Sequence, residues 1–372
     1  MAFLNDETRV MLEDSVDKFL GAHYDFHQRR AWVEQEPGYN REHWQQFAEL
    51  GWLGLPFAER HGGLGGDIPD TLGLMRRFGG ALVVEPYLSV VGLGGQAIAW
   101  ADNHDVADSL LPELIAGKAM PVLAWEESIS RGNPEHLATS ARRIDGGWRL
   151  EGEKVAVVGG DLASHFVVSA QAFEDDAGPV VELFLVHADE LQVTGFPTMD
   201  GHRGARLTLA AVDVDETRRL TRDGRGAGVL RQVLEQGIMM MAAEAVGAMQ
   251  ALLRRTLDYT RTRRQFGVPI ASFQVLQHRM VDMHIAMKNL EHLLDAVAGR
   301  WQQAPSHARD SALLKAQLCQ SGRYVGQQAV QLHGGIGMTD ELDVGHYFKR
   351  LTALGLLFGD ESYHLKRAWA AL

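Results

Sequence analysis

Cysteine is nearly absent: Cys319 is the only one in 372 residues. No internal disulfide can form, and the pattern fits a reducing, cytoplasmic compartment. Positive charge is also short, with 36 Lys and Arg against 48 Asp and Glu for a net charge of −12. No basic stripe can release counterions from a phosphate backbone, so nucleic acid is not an expected partner. Long apolar runs are missing as well. The windows Ala81–Gly95 and Ile238–Met249 are interrupted by Glu85 and Pro86 and by Glu244, short of the roughly 20 apolar residues a membrane-spanning helix needs. A membrane is therefore not an expected partner, and acidic residues from Asp6 onward do not fit the order of a signal peptide. Of sixteen histidines only His23 and His27 form an H-x-x-x-H pair. That pair lacks the glutamate of a zinc-protease helix and an evident third ligand, so no metal is expected. No G-x-S-x-G or cysteine-nucleophile context occurs either.

What remains is a globular composition, 46% hydrophobic and 23% charged, long enough for two or three domains. Residues 1–118 read as helical. Leu12, Val16, Phe19 and Leu20 form one apolar stripe behind a cap at Asn5 or Asp6, and the same period runs from His43 to Gly51 and from Thr71 to Leu82. His61-Gly62-Gly63-Leu64-Gly65-Gly66 reads as a loop, because no strand precedes it as a phosphate-cradling turn would require. Over residues 119–222 the period changes to two. Asp145-Gly146-Gly147 marks a hairpin between "ATSARRI" and "WRLEGEKVAVV", and "HFVVSAQA", "VVELFLV" and "RLTLAAVDV" follow as short β-branched runs. After a linker at Asp223–Gly228, residues 223–372 are helical again. Proline-free Val229–Thr262 predicts one helix of about 50 Å, followed by Phe273–Leu294, Arg309–Leu332 and a last segment from Asp340. The fold class is mostly α with a central β domain and a C-terminal helical bundle.

Two stretches carry a resemblance. "YTRTRRQFGVPIASFQVLQHRMVDM" (Tyr259–Met283) and "QLHGGIGMTDE" (Gln331–Glu341) resemble the two signatures of the acyl-CoA dehydrogenase family, and "GWLGLPFAERHGGLGG" and "TMDGHRGARLTLAAVDV" extend the likeness over nearly the whole chain. The resemblance implies an N-terminal helical domain, a small β-barrel or sandwich and a C-terminal four-helix bundle. It also implies FAD, an acyl-CoA substrate, an electron-transfer acceptor protein, and assembly as a homo-oligomer or a heteromer with a related subunit. Arg263, Gln265, Phe266 and Gln274 on the first signature, and Gln331, Gly334 and Gly335 on the second, are the implied contacts to the adenosine side of FAD seated in a neighbouring subunit. An arginine fork suits a diphosphate, and glycines allow close backbone approach. Trp125 is a candidate to stack near the flavin ring, although tryptophans of this kind are more often core residues.

Family chemistry removes an α-proton with a carboxylate while the β-hydrogen leaves as hydride to the flavin, so the base has to be within reach and partly desolvated. In "LGLLFGDESYHLKR" (Leu354–Arg367), counting forward from Gly334-Gly335 puts Phe358 at the base position, and counting back from Arg367 puts Asp360 there. Asp360 ranks first as catalytic base, with Glu361 behind it. The competing role for Asp360 is an N-cap for the segment Ser362–Trp369. Some relatives place the base on the long helix, at a position matching Gly237 here. Glu244, seven residues on, reads as half of a buried ion pair. In the β domain, Glu126-Glu127-Ser128 stands where relatives carry Thr-Glu-Pro, and Ala156-Val157-Val158 where they carry Trp-Ile-Thr against the flavin. Two readings follow: a self-sufficient FAD-dependent dehydrogenase, or a subunit that completes a partner's FAD site and does no chemistry itself.

Overall fold

The computed structural model describes residues 6–173, 178–301 and 307–371. Its helices in chain order are α1 (Asp6–His23), α2 (Phe26–Val33), α3 (Arg41–Glu49), α4 (Ile68–Ala81), α5 (Gln96–Ala99), α6 (His104–Ile115), α7 (Arg225–Thr262), α8 (Gln274–Arg300), α9 (Ala308–His333), α10 (Val344–Leu356) and α11 (Glu361–Ala370). Its strands are β1 (Pro121–Ala124), β2 (Ser140–Ile144), β3 (Gly147–Val158), β4 (His165–Phe173), β5 (Val180–His187), β6 (Gln192–Pro197), β7 (Arg203–Asp215), β8 (Arg264–Gln265) and β9 (Val268–Pro269). The chain is thus mostly helical, with its main strands in the middle, the α–β–α order that the change of period predicts. Of the two caps expected for the first helix, Asn5 lies outside the described residues.

Two compact units divide the chain. The first gathers Ala31–Asp67 and Val84–Gly237 and contains a seven-stranded sheet. β2 and β3 form the expected hairpin across Asp145 and Gly146, β3 pairs antiparallel with β7, and β7 with β6. β4 runs parallel to both β1 and β2 along one edge and antiparallel to β5 along the other. The register of β3 against β7 slips between Lys154 and Val157, and Ala156 there has a φ of 50°. This bulge bends the strand where the expected flavin-facing segment lies. The π-helical turn Leu88–Gly95 leads into α5 and is buried throughout, so its apolar run carries no helical period to read.

The second unit takes the N-terminal helices to Arg30, Ile68–Val83 and the chain from Ile238 onward. α7 has 38 residues, about 57 Å at 1.5 Å per residue, and its most apolar 18-residue window is 94% buried. Length and composition would let such a helix cross a membrane; burial of this extent is what a core helix shows. It starts four residues before the predicted point. Asp223 and Gly224 make the turn at positive φ, and Gly226, inside the expected linker, lies in α7 where a Cβ would stand 2.5 Å from the Val181 carbonyl oxygen. That glycine serves close contact rather than flexibility.

Within the second unit α4 and α7 touch backbone to backbone. A Cβ on Gly79 would sit 1.9 Å from the Glu244 carbonyl oxygen, and one on Gly247 would sit 1.8 Å from that of Arg76. Beside this crossing, Arg350 of α10 grips the buried Glu244 with Nε 2.5 Å from Oε1 and Nη2 2.8 Å from Oε2, so the cation that the apolar setting of Glu244 demanded is present. Gly247→Ala should destabilise the protein by about 1–3 kcal/mol through overpacking. Gly228→Ala, where nothing lies within 4 Å of the added carbon, should be neutral or slightly stabilising. Urea midpoints for the two variants check this, and equal midpoints would refute the tight crossing.

Candidate functional site

The first signature ends α7 and opens into a small hairpin. Arg263 donates its backbone N–H to Tyr259 at 2.8 Å and accepts from Ile270 at 2.8 Å, which closes the hairpin's base. β8 and β9 pair through Gln265 and Val268, leaving Phe266-Gly267 as a two-residue loop at φ values of 54° and 82°. Both residues at positive φ make this a type I′ geometry, which suits glycine and strains phenylalanine. The strained Phe266 is also 91% exposed. Arg263 and Gln265 are exposed beside it, and Gln274 is the exposed first residue of α8. A strained, solvent-facing aromatic next to an exposed guanidinium is a surface shaped for something other than the chain's own core.

The second signature comes to the same place. α9 ends at Gly334 with φ 66° and ψ −146°, and a Cβ built on Gly334 or Gly335 would meet nothing within 4 Å. His333 immediately before it stacks on Tyr259, with ring centroids 4.5 Å apart and planes 26° apart. Tyr259 is the residue whose carbonyl holds Arg263. The two motifs are therefore joined through one ring stack, within one unit. Gln331, Gly334 and Gly335 are exposed. An arginine, flanking amides and open glycines fit a diphosphate and an adenosine.

The candidate bases are engaged differently. Asp360 is an exposed N-cap of α11, its Oδ1 accepting the Tyr363 N–H at 2.8 Å. Glu361 accepts from Gln320 at 2.7 Å and pairs with Arg323, and those bonds hold its carboxyl below the ordinary value. Phe358 is buried and apolar. Lys315 fixes the whole loop from below. Its buried Nζ donates to the Gly355 and Gly359 carbonyls at 2.8 and 3.0 Å, and burial lowers its pKa. Sequence reasoning passed over it, although a lone lysine in "ALLKAQL" was the available signal.

In the first unit Trp125 is 3% exposed, and its carbonyl lies 3.4 Å from Lys154 Nζ. Glu127 accepts from the Ala138 and Thr139 amides at 2.5 and 3.1 Å and from Lys154 at 2.7 Å. Burial drives the Lys154 ammonium down to about 8, with Glu127 acting against it. Neighbouring Glu126 has no such support among the described residues. Its backbone carbonyl accepts from Val155, and burial lifts its carboxyl from 4.5 to about 7.

Comparison with known proteins gives a consistent result. A family model described as acyl-CoA dehydrogenase, N-terminal domain, matches residues 6–118, and one described as acyl-CoA dehydrogenase, C-terminal domain, matches residues 224–372. The mitochondrial isovaleryl-CoA dehydrogenase of Solanum tuberosum is 27% identical over 94% of this chain and 86% of its own. Acyl-CoA dehydrogenase IpdE2 of Mycolicibacterium smegmatis is 28% identical over 97% of each. Among solved structures, the ChsE4-ChsE5 complex from Mycobacterium tuberculosis contains a chain with a TM-score of 0.89 and 26% identity, aligned over 100% of this chain and 98% of that one.

Two predictions follow from the site chemistry. A Glu126 carboxyl raised when folded favours the folded state below pH 4.5, and that advantage is lost as pH rises to about 7, a cost of up to about 3 kcal/mol. Glu126→Gln should flatten the pH dependence of stability between those values and stabilise the protein above them, as read from denaturation midpoints at pH 5 and 8. Asp360→Ala should cost about 1 kcal/mol as a lost cap while Asp360→Asn costs little. If Asp360→Asn instead abolishes the dehydrogenation of an assembled enzyme without changing its stability, the aspartate is the base.

Proposed function

Because the chain belongs to the acyl-CoA dehydrogenase family, we propose that it takes part in FAD-dependent α,β-dehydrogenation of an acyl-CoA thioester as a subunit that lends its adenosine-side residues to the flavin of a related partner. When bound, FAD would supply the acceptor for the hydride lost from the substrate's β-carbon. Arg263 would hold the diphosphate, and the Gly334-Gly335 backbone would lie against the adenosine. Phe266, exposed and strained, would bury its ring against the neighbouring subunit.

One asymmetry carries this reading. The adenosine-side segments are open and solvent-facing, whereas the segments that would serve a flavin ring and a proton transfer within this chain are filled or engaged. Trp125 is core, an ionisable Glu126 stands in the expected flavin-ring segment, and Asp360, Glu361 and Glu244 hold an amide or cationic partners. Gly237 has no side chain to offer. The likeness to a chain of a two-protein complex supports assembly with a related but different subunit.

Purified alone, the chain should be colourless or hold FAD well below one per subunit, and it should gain flavin absorbance and turnover when co-purified with a catalytic homologue. Stoichiometric flavin and acyl-CoA-dependent bleaching in the isolated chain would instead establish it as self-sufficient. In the assembled protein Arg263→Ala should weaken FAD retention by about 1.5–3 kcal/mol, the value of a hydrogen bond to a charged group. Flavin content measured after dialysis decides it, and an unchanged value removes Arg263 from the site.

A further inference from the structure

A second group of arginines lies in the second unit, outside both signatures though with Arg254 and Arg255 close to the start of the first in the sequence. A cleft of about 640 Å³ opens among α1, the start of α2, the end of α4, the middle of α7 and the start of α10. Five arginines line it: Arg29, Arg76, Arg77, Arg254 and Arg255. Like charges gathered around one cleft repel, and the fold answers three of them with carboxylates. Arg76 is tied to Glu291 and Asp295, Arg77 to Glu13 and Asp17, and Arg255 to Asp343. Each of those guanidiniums is thereby fixed in place, and each keeps N–H donors beyond the ones its carboxylates use. Arg255 is further held over the Tyr347 ring, 4.9 Å from its centroid.

Arg29 is 1% exposed, with Nε donating to the Leu82 carbonyl at 2.7 Å and Nη1 lying 3.4 Å from His346 Nδ1. Burial, with the charges of Arg29 and Lys349, holds His346 down to about 4, so the ring adds no positive charge of its own at neutral pH. Arg254 is different from the rest: among the described residues it has no ion-pair or side-chain hydrogen-bond partner. Gly247, Gln250 and Arg254, at i, i+3 and i+7, bring that free guanidinium onto the cleft face of α7. The close approach of α4 at Gly247 sets the floor of the cleft.

Size and lining define the ligand. The volume lies within the range of small-molecule sites and is far larger than a single inorganic anion fills. Tyr24, Leu20 and Leu82 add apolar lining. Arginine forks match phosphate oxygens in bidentate geometry, and an aromatic ring such as that of Tyr24 matches a heterocyclic base. We propose that this cleft binds a nucleotide, with Arg254 and its neighbouring arginines on the phosphates. The site is built within one unit of one chain and does not depend on the proposed sharing of FAD.

The test uses ADP as the probe on the full-length chain, by calorimetric titration of wild type, Arg254→Ala, Arg76→Ala and Arg263→Ala, with adenosine titrated in parallel. Saturable ADP binding to wild type and Arg263→Ala, weakened at least about tenfold in Arg254→Ala as expected for a lost charged hydrogen bond, with no detectable adenosine binding, supports the proposal. Binding lost in Arg263→Ala and retained in Arg254→Ala would put ADP on the flavin-side motif and overturn it. Equal affinity in wild type, Arg254→Ala and Arg76→Ala, or no ADP binding to wild type, would also overturn it. Arg76→Ala serves where Arg254→Ala does not fold, since it removes a different wall of the same cleft.

Discussion

A carboxylate set among methionines and alanines has to meet a cation, and Glu244 meets Arg350 in a buried two-point grip. Much of the second unit is arranged around that pair. The same residue offers its backbone carbonyl to Gly79, so α4 lies against α7 where α10 is also anchored. One turn before Arg350 on α10, Tyr347 donates to the Gly80 carbonyl, repeating the link between α10 and α4. Buried pairs of this kind add little net stability over apolar packing, but removing one member strands the other charge at a cost of about 3–5 kcal/mol. The pair is therefore better understood as fixing a unique docking of three helices than as a source of stability.

From that docking two other features follow. The turn Gly334–Met338 leads into α10, so anchoring α10 also limits where the glycine end of α9 can lie, and the Tyr259–His333 stack brings it to the end of α7. The arginine cleft uses the same end of that frame: Asp343 and Tyr347 at the start of α10, and the stretch of α7 from Gly247 to Arg255. Rigid elements carry both, which is the condition for holding oxygen-rich ligands at fixed distances.

Where a local rule governs a segment, the sequence was legible. Asp145-Gly146 made its hairpin, the proline-free run made one long helix, Asp360 capped the last helix, and Glu244 found the cation its surroundings required. Elsewhere the signal was absent or misleading. β1 and β6 are short and lack alternation that could be told from loop. Leu88–Gly95 is buried on every side, so apolarity hides its helical turn. The glycines at Asp223–Gly228 resembled a linker, yet Gly226 is there for contact with the β5 backbone. The stack between Tyr259 and His333 joins residues far apart in the chain, and neither ring type announces it. The site motifs were recognisable as short strings, while the arginine cleft was not, because its charges come from α2, α4 and α7 and become a cluster only after those helices pack.

The two arginine-bearing features of this unit differ in what they need. Arg263 stands on an exposed hairpin whose neighbouring phenylalanine is strained and unburied, and under the proposed function a second subunit would cover Phe266. Arg254 faces a cleft whose walls all belong to one unit, with the adjacent arginines already braced by carboxylates. Diphosphate recognition at Arg263 should therefore vary with the state of assembly, whereas anion recognition at Arg254 should not. Electrostatics points the same way. A guanidinium on an exposed hairpin is screened by solvent and salt, while one that lines a partly enclosed cleft is screened less.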